Sequence, residues 1–163
     1  MPERQRRHPD QSQVVMTQLV LPGDANTLGN AFGGKILQWI DIAAGVAARR
    51  HGGGVAVTAS IDSVQFIRPV KLGDVVVLIA RLTRAWNTSM EISVTVTCDE
   101  TPERPSHEAI NAFLTFVAID EEGRPRAIPG LEPTTQQEQN AYEQADRRRT
   151  QRLAERQRCT GEC

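Results

Sequence analysis

The sequence predicts an α+β fold in which an antiparallel five-stranded sheet packs against one long helix. Residues 32–51 have the apolar periodicity of a helix, and the runs that follow alternate between apolar and polar residues. The segments between those runs are too short to hold the crossover helix that parallel strands require. The strands are therefore expected to pair in antiparallel fashion, with the helix on one face of the sheet.

Composition limits the classes of protein to consider. The 163 residues suit one domain, and a net charge of -1 argues against a protein that binds nucleic acid strongly. No run of about 18 apolar residues predicts a membrane span, and no apolar signal-peptide core follows the basic N-terminus. Cys98, Cys159 and Cys163 lack the spacing of a metal site, which favours reduced thiols in a cytoplasmic protein. We therefore expect no metal, nucleic acid or membrane as a partner.

The first elements along the chain are a polar segment and a strand. Residues 1–13 are polar and basic, and we expect them to form a disordered lead-in. Residues 14–21, VVMTQLVL, predict a strand that ends before Pro22 and Gly23. The folded domain is expected to span residues 14–133.

The helix is predicted from Phe32 to His51. Its apolar side chains recur at steps of three or four residues: Ile36, Ile40, Ala43, Ala44 and Ala47. Basic side chains in the last turn suit the negative end of the helix dipole, and three consecutive glycines follow. One face of this helix is therefore expected to pack on the sheet.

Four further strands are predicted over residues 55–67, 74–84, 90–98 and 108–119, which are rich in β-branched and aromatic residues. Residues 134–163 then predict a polar, arginine-rich helix and tail. A solvated face is the simplest interpretation of that segment, and contacts in an oligomer or with phosphates are the alternatives.

A glycine-rich stretch before the helix matches part of a phosphate-binding loop. Gly29 is followed, after four residues, by Gly34 and Lys35. A nucleotide-hydrolysing loop continues with a Ser or Thr that binds magnesium, and it lies in a parallel α/β domain. Ile36 has no oxygen to offer, and the predicted sheet is antiparallel. These features argue against a nucleotide hydrolase.

Asp41 is the first candidate for chemistry. It lies among Ile40, Ile42 and Ala44, and a carboxylate in such surroundings loses hydration, which favours a role as a base. A helix aspartate that faces water, or that pairs with an arginine such as Arg49, explains the same pattern.

The start of the helix is the second candidate. Gly33 and Gly34 would leave helix amides open to a substrate carbonyl as an oxyanion site, with Asn30 as an added donor. Alternatively, the glycines only permit a tight loop, and Asn30 is the N-cap.

Four segments together carry a resemblance to a known family: PGDANTLGNAFGGKILQWID, VTASIDSVQFIRPVKLGD, TSMEISVTV and FLTFVAIDEEGRPRAIP. They are similar to the hotdog-fold acyl-CoA thioesterases, in the group of bacterial short- and medium-chain enzymes and brain-type cytosolic acyl-CoA hydrolases. The resemblance implies a hotdog fold, a curved antiparallel sheet wrapped around the central helix. It also implies hydrolysis of fatty acyl-CoA by a homodimer that shares its active sites, commonly within a trimer of dimers.

The resemblance also implies roles for individual residues. By position, Asp41 matches the catalytic carboxylate, which acts as base or nucleophile, and Asn30 matches a second catalytic residue contributed across the dimer interface. Gly33 and Gly34 match the turn whose amide polarises the thioester oxygen, and Thr58 matches a polar position facing the site. No cofactor is implied, because coenzyme A is part of the substrate.

The coenzyme A part of the substrate is anionic and needs cations and donors. The resemblance points to Arg68, Lys71, Arg84 and Ser89 for these contacts, and ordinary surface charge is the alternative.

Two rival functions share parts of this pattern. A non-catalytic hotdog regulator that binds acyl-CoA would need a DNA-reading element, and the short N-terminal segment shows no helix-turn-helix. A hotdog acyl-thioester dehydratase or hydratase would place a histidine with its carboxylate, and the region around Asp41 has none.

Overall fold

The computed structural model describes residues 4–160, with the side chains of residues 159 and 160 outside the description. Its elements in chain order are β1 (Arg6–Arg7), β2 (Val14–Leu19), α1 (Gly33–Gly52), β3 (Ala56–Phe66), β4 (Val75–Ala85), β5 (Ser89–Cys98), β6 (His107–Ala118), β7 (Gly130–Leu131) and α2 (Gln136–Thr160). Single turns of 3-10 helix lie at Pro9–Gln11 and Pro22–Asp24. No helix in the described range is long and apolar enough to cross a bilayer.

Five strands form one sheet in the order β2-β4-β5-β6-β3, and all neighbouring strands are antiparallel. Strands β1 and β7 form a separate parallel pair. The predicted five-stranded antiparallel sheet, its central helix and the C-terminal helix are confirmed, and the boundaries of α1 and of the five strands agree with prediction to within two residues. The edge strands of the sheet are β2 and β3, and β3 carries part of the candidate site described below.

Helix α1 packs on the sheet through small and branched residues. Its buried apolar side chains are Ile36, Trp39, Ile40, Ala43, Ala44, Ala47 and Ala48. The alanines bring the helix backbone near the strands, and a Cβ at Gly45 would lie 3.6 Å from the Phe116 ring of β6. Each large core side chain buried in this way contributes about 1.5–3 kcal/mol. These side chains therefore make α1 part of the apolar core.

Arginines from outside the helix cap the C-terminal end of α1. Arg7 Nη1 donates to the carbonyls of Arg50 and His51 at 2.9 and 2.8 Å, and Arg126 Nη1 donates to the Gly52 carbonyl at 2.9 Å. These carbonyls have no partner within the helix and carry the negative end of its dipole. Cations at this end therefore stabilise α1.

The N-terminal segment is ordered, so the predicted disordered lead-in is wrong for residues 4–13. Strand β1 pairs with β7, and Pro9 and Ser12 are buried. The physical reason is that Arg7 supplies donors to the end of α1. The residues next to Arg7 in sequence are polar, and this polarity led to the prediction of an exposed, disordered segment.

Helix α2 lies on the face of the sheet opposite to α1 and is held there by charged groups. Arg148 donates to both carboxylate oxygens of Glu91 at 3.0 and 2.7 Å, and Thr83 Oγ1 donates to Glu91 at 2.6 Å. The Arg148 guanidinium also lies 3.9 Å from the centre of the Phe113 ring. At least some arginines of α2 therefore bind the sheet, and the simple interpretation of a solvated face is incomplete.

Glu138 lies in the first turn of α2 and joins it to β4 and the N-terminal segment. Its Oε2 accepts hydrogen bonds from the amides of Thr134 and Thr135 at 2.7 and 3.0 Å. Its Oε1 lies 2.5 Å from Arg81 Nη2, and His8 Nε2 lies 3.4 Å from Oε2. Burial opposes ionisation of this carboxyl, but the Thr135 and Thr134 amides and the charge of Arg81 outweigh it and lower the pKa of Glu138 to about 2.

The loop before α1 contains one glycine, Gly29, whose replacement by another residue would destabilise the fold. Gly29 has φ +74°, in the left-handed region. Its amide donates to the Asn26 carbonyl at 2.9 Å, and its carbonyl accepts from the Leu72 amide at 2.9 Å. Gly29 thus fixes the loop between two neighbours.

Replacing Gly29 by alanine should lower the free energy of unfolding by about 1–2 kcal/mol, because the left-handed conformation is strained for a residue with a Cβ. Urea unfolding at fixed protein concentration measures this change. Gly34→Ala is the matched control, because a Cβ there meets no atom within 4 Å and the position is helical. Equal losses in the two variants would contradict the role given to Gly29.

Replacing Glu138 by glutamine should lower Tm at pH 7 and have a smaller effect in acid. The folded pKa of about 2 lies below the ordinary value of 4.5, so this carboxylate stabilises the fold above about pH 4.5 and loses its effect as pH falls through about 2. Melting curves of the wild type and variant at pH 7, 5, 4 and 3 test this, with the exposed Glu143→Gln as control. A Tm difference that does not change with pH would contradict it.

Candidate active site

Asp41 and Thr58 form a hydrogen-bonded pair. Asp41 lies in the middle of α1, and Thr58 lies on β3 opposite Phe116 of β6, so its side chain faces the helix. Thr58 Oγ1 donates to Asp41 Oδ1 at 2.7 Å. Among the described contacts, the partner of Asp41 is therefore this hydroxyl and not Arg49, the alternative that the sequence left open.

The Asp41–Thr58 pair lies in an exposed apolar surface along β3 and α1. We call this surface the edge strip and define it by Ile42, Val46, Val55, Val57 and Ile61. Between 39% and 59% of each of these side chains is exposed in the single chain. Exposed apolar side chains along an edge strand are typical of a protein interface.

The start of α1 has free amides. The N-cap is Phe32, which makes no side-chain capping bond, and the amides of Lys35 and Ile36 donate to its carbonyl at 3.0 and 3.1 Å. Gly33 and Gly34 lie before these donors, in the first turn, where backbone amides have no acceptor within the helix. Both residues are exposed. Asn30 is thus not the N-cap, and an oxyanion site at these amides remains sterically possible.

A cavity of about 450 Å³ lies beside these amides. It is lined by Asn30, Gly33 and Arg68 together with apolar side chains such as Ile36 and Phe66. The backbone of Asn30 also bridges to Lys71. The structure therefore brings together four of the residues that the sequence predicted for the site.

The cavity and the Asp41–Thr58 pair are separate in one protomer. Asp41 follows Gly33 by eight residues on α1, which corresponds to about 12 Å along the helix axis. One chain thus presents two half-sites, an N-terminal one at the cavity and a carboxylate one at β3.

Arg84 and Ser89 are not near either half-site. Arg84 Nη2 lies 2.7 Å from Asp146 Oδ2, and Ser89 Oγ accepts from Arg149 Nη1 at 3.1 Å. Both partners belong to α2, on the sheet face that α1 does not cover. The structure therefore does not bring these two predicted coenzyme A contacts to Asp41.

Asn26 is a polar residue of the loop before α1 that the sequence did not single out. Its Oδ1 accepts hydrogen bonds from the amides of Leu28 and Asn30 at 2.9 and 3.2 Å. The oxygen is thus fixed inside the loop, which orients the side-chain amide nitrogen as a donor. The available signal was an asparagine shortly before a glycine, which is typical of such a turn.

Lys35, from the phosphate-loop pattern, has a structural role. Its Nζ lies 3.2 Å from Asp24 Oδ1 and 5.8 Å from the centre of the Trp39 ring. A hydrogen bond from the Leu21 amide and the contact with Lys35 lower the pKa of Asp24. The lysine therefore fastens the loop to the helix.

Comparison with known proteins identifies the family. The thioesterase superfamily model matches residues 28–104. An uncharacterized acyl-CoA thioester hydrolase of Bacillus subtilis (strain 168) is 37% identical over 142 residues, which cover 87% of this chain and 83% of that protein. The cytosolic acyl coenzyme A thioester hydrolase of Mus musculus is 35% identical over 148 residues, 90% of this chain but 39% of that protein.

Solved structures agree with these relatives. An acyl-CoA hydrolase from Staphylococcus aureus, in complex with butyryl coenzyme A, coenzyme A and coenzyme A disulfide, has 34% identity and a TM-score of 0.90 over 96% of this chain and 95% of that one. A hexameric acyl-CoA thioesterase without ligand has 39% identity and a TM-score of 0.89 over 93% and 97% of the two chains. With this fold, these half-sites and these relatives, the chain belongs to the thioesterase superfamily and is an acyl-CoA thioester hydrolase with the hotdog fold.

Proposed function

We propose that Asp41 is the carboxylate that drives hydrolysis of the thioester, and the observation that carries this is its 2.7 Å hydrogen bond to Thr58. The hydroxyl orients one carboxylate oxygen and leaves the other available. As a base, Asp41 takes a proton from water while the water oxygen attacks the carbonyl carbon, and the proton passes to the leaving thiolate of coenzyme A. As a nucleophile, it forms a mixed anhydride and releases the thiolate of coenzyme A; water then cleaves the anhydride, which regenerates the carboxylate and supplies the proton that the thiolate takes up.

The exposed amides of Gly33 and Gly34 are proposed as donors to the thioester oxygen. Negative charge develops on this oxygen as the carbonyl is attacked, and fixed N–H groups at a helix start stabilise it. A thioester carbonyl has weak resonance stabilisation, so a carboxylate and these donors suffice for the reaction. The proposed chemistry requires neither metal nor cofactor.

Two protomers are proposed to complete each site. Strand β3 has 11 residues and lies at an edge, so its outer backbone groups have no strand partner in the described sheet. A second copy that pairs along β3 and covers the edge strip would bring its N-terminal half-site to Asp41. A trimer of such dimers agrees with the hexameric state named for one structural relative.

The donor to the partner carboxylate is proposed to be Asn26, with Asn30 as the sequence-based alternative. Three variants of the Staphylococcus aureus enzyme each have alanine in place of an asparagine, an aspartate or a threonine. In sequence, these three positions have the same order and the same two spacings as Asn26, Asp41 and Thr58. Asn30 is too close to Asp41 in sequence to match the asparagine of that enzyme.

Acyl-CoA is proposed to bind with its anionic part near Arg68 and Lys71. Arg68 lines the cavity, and Lys71 bridges to the neighbouring Asn30. The geometry of one protomer does not support the same role for Arg84 and Ser89, because both contact α2. A cytoplasmic location is proposed from the cytosolic relative in mouse.

Asp41→Asn should lower kcat for thiol release by about 10²–10⁴-fold, the range for loss of a general base. The measurement is release of free coenzyme A from acyl-CoA of several chain lengths, followed with a thiol reagent. The exposed Asp99→Asn is the matched control and should keep wild-type kcat. An Asp41→Asn enzyme with wild-type kcat would contradict the assigned role, and wild-type protein that binds acyl-CoA tightly without releasing thiol would favour the regulator.

Subunit complementation tests the shared site and decides between the two asparagines. When Asp41→Ala and Asn26→Ala chains are co-expressed, each mixed dimer has one site with both changes and one intact site. Random pairing should restore about one quarter of wild-type activity, although each variant alone is inactive. Asn30 is the donor instead if Asn30→Ala is inactive alone and only its mixture with Asp41→Ala regains activity, and failure of both mixtures would contradict a site shared in this way.

A further inference from the structure

The strand that holds Thr58 is irregular just after it. The pairing of β3 with β6 shifts register between Thr58 and Ser60 and again between Ile61 and Ser63. Thr58 is opposite Phe116, and Ser60 is opposite the preceding residue of β6, Thr115. One extra residue therefore lies between Thr58 and Ser60.

This bulge decides where Thr58 points. In a regular strand, residues two apart share a face, so Thr58 and Ser60 would both face α1. Because of the extra residue, Thr58 faces α1 and Asp41, whereas Ser60 faces the opposite side, under α2. Bulges commonly re-aim side chains in this way next to active sites.

Asp62 occupies the second irregularity and holds the bulged segment. Its Oδ1 accepts a hydrogen bond from Ser60 Oγ at 2.6 Å, and its Oδ2 accepts from Thr115 Oγ1 at 3.0 Å. The first bond lies within the bulged segment, and the bond from Thr115 joins it to β6, the strand that fixes its register. Asp62 is thus bonded to both sides of the irregular pairing.

Helix α2 supplies a cation to Asp62. Arg152 Nη1 lies 2.5 Å from Asp62 Oδ2, and 19% of the Arg152 side chain and 10% of the Asp62 side chain are exposed. Arg148, one helical turn earlier, binds Glu91 on β5 with two hydrogen bonds. The attachment of α2 to the sheet therefore has a component that does not involve Asp62.

We propose that Asp62 is a positioning residue for thioester hydrolysis, held by Arg152, and that the C-terminal helix thereby keeps the Thr58 hydroxyl on Asp41. This proposal rests on the proposed roles of Asp41 and Thr58. It gives α2 a function in catalysis that is exerted from the opposite face of the sheet.

The first test is kinetic. Asp62→Asn should lower kcat for thiol release about ten-fold while KM changes less than about two-fold, because a small misplacement of a catalytic group acts mainly on the chemical step. Arg152→Gln should have a similar but smaller effect, and Arg152→Lys, which keeps the charge, should recover most of the loss. Unchanged kcat in Asp62→Asn would overturn the proposal.

The second test asks whether Asp62 acts through Thr58. In a Thr58→Val background, Asp62→Asn should cause no further loss of kcat, because the hydroxyl that it positions is gone. A loss as large as in the wild-type background would overturn the proposal and indicate a general structural effect. If Thr58→Val itself kept wild-type kcat, both this proposal and the assigned role of Thr58 would fail. A sensitive Thr58 with an insensitive Asp62 would overturn this proposal alone.

Two further variants separate positioning from docking of α2. Arg148→Gln removes the contact with Glu91 and should lower Tm while leaving kcat closer to wild type than Arg152→Gln does. The exposed Arg147→Gln, on the same helix, should change neither quantity. Light scattering and Tm establish that each variant is folded and assembled. If Asp62→Asn does not fold, the comparison of Arg152→Gln, Arg152→Lys and Arg148→Gln decides the question, and equal kcat values in these three would overturn the proposal.

Discussion

The close packing of α1 on the sheet is the constraint from which the other features follow. Alanines and Gly45 let the helix backbone lie near the strands, and buried residues occur along α1 from Ile36 to Gly52. Such a helix leaves unpaired amides at one end and unpaired carbonyls at the other. The two ends are treated differently: Arg7 and Arg126 satisfy the carbonyls, whereas the amides of Gly33 and Gly34 remain accessible. One end of the helix is thus stabilised by cations, and the other keeps exposed amide donors.

Strand β3 lies at the edge of the sheet on which α1 packs, and it carries exposed apolar side chains that are unfavourable on a surface. The sheet ends at β3, so no further strand from residues 4–160 lies beside Asp41 and Thr58 to shield them from water. Their apolar neighbours in the edge strip are exposed for the same reason. A second protomer would bury this surface and exclude water from the Asp41–Thr58 pair, which strengthens its electrostatic effect on the substrate. In the proposed dimer, assembly and catalysis would therefore depend on the same strand.

Much of the fold could be predicted from the sequence because it follows from local periodicity. The helix has a clear helical repeat of apolar residues and the strands alternate, and Asp41 was visible as the polar interruption of an apolar helix. Arg7 could not be predicted in the same way, because its acceptors, the carbonyls of Arg50 and His51, lie far away in sequence. Asn26 gave no such signal, because its hydrogen bonds to the Leu28 and Asn30 amides belong to a loop turn and not to a repeat.

The position of Arg84 on the α2 side of the sheet has a different physical cause. The pairing of β4 with β5 shifts register between Leu82 and Arg84. In a regular strand these two side chains would share the face that α1 covers, but the extra residue turns Arg84 to the opposite face, where it contacts α2. Composition does not reveal a bulge of this kind, so the side of the sheet on which a strand residue lies can be reversed without a visible signal.

The polar character of α2 has a consequence for how it is attached. An amphipathic helix with a wide apolar stripe can slide or rotate on a sheet at modest cost, because hydrophobic contacts are non-directional. Helix α2 has no such stripe among its described side chains: those that are buried include Glu138 and Ala145. It is joined to the sheet by the two hydrogen bonds from Arg148 to Glu91. Replacing a buried ion pair by apolar groups is often neutral or stabilising, so net stability does not explain this choice. Directional bonds do fix the rotation and axial position of α2, and that register places Arg152 over Asp62.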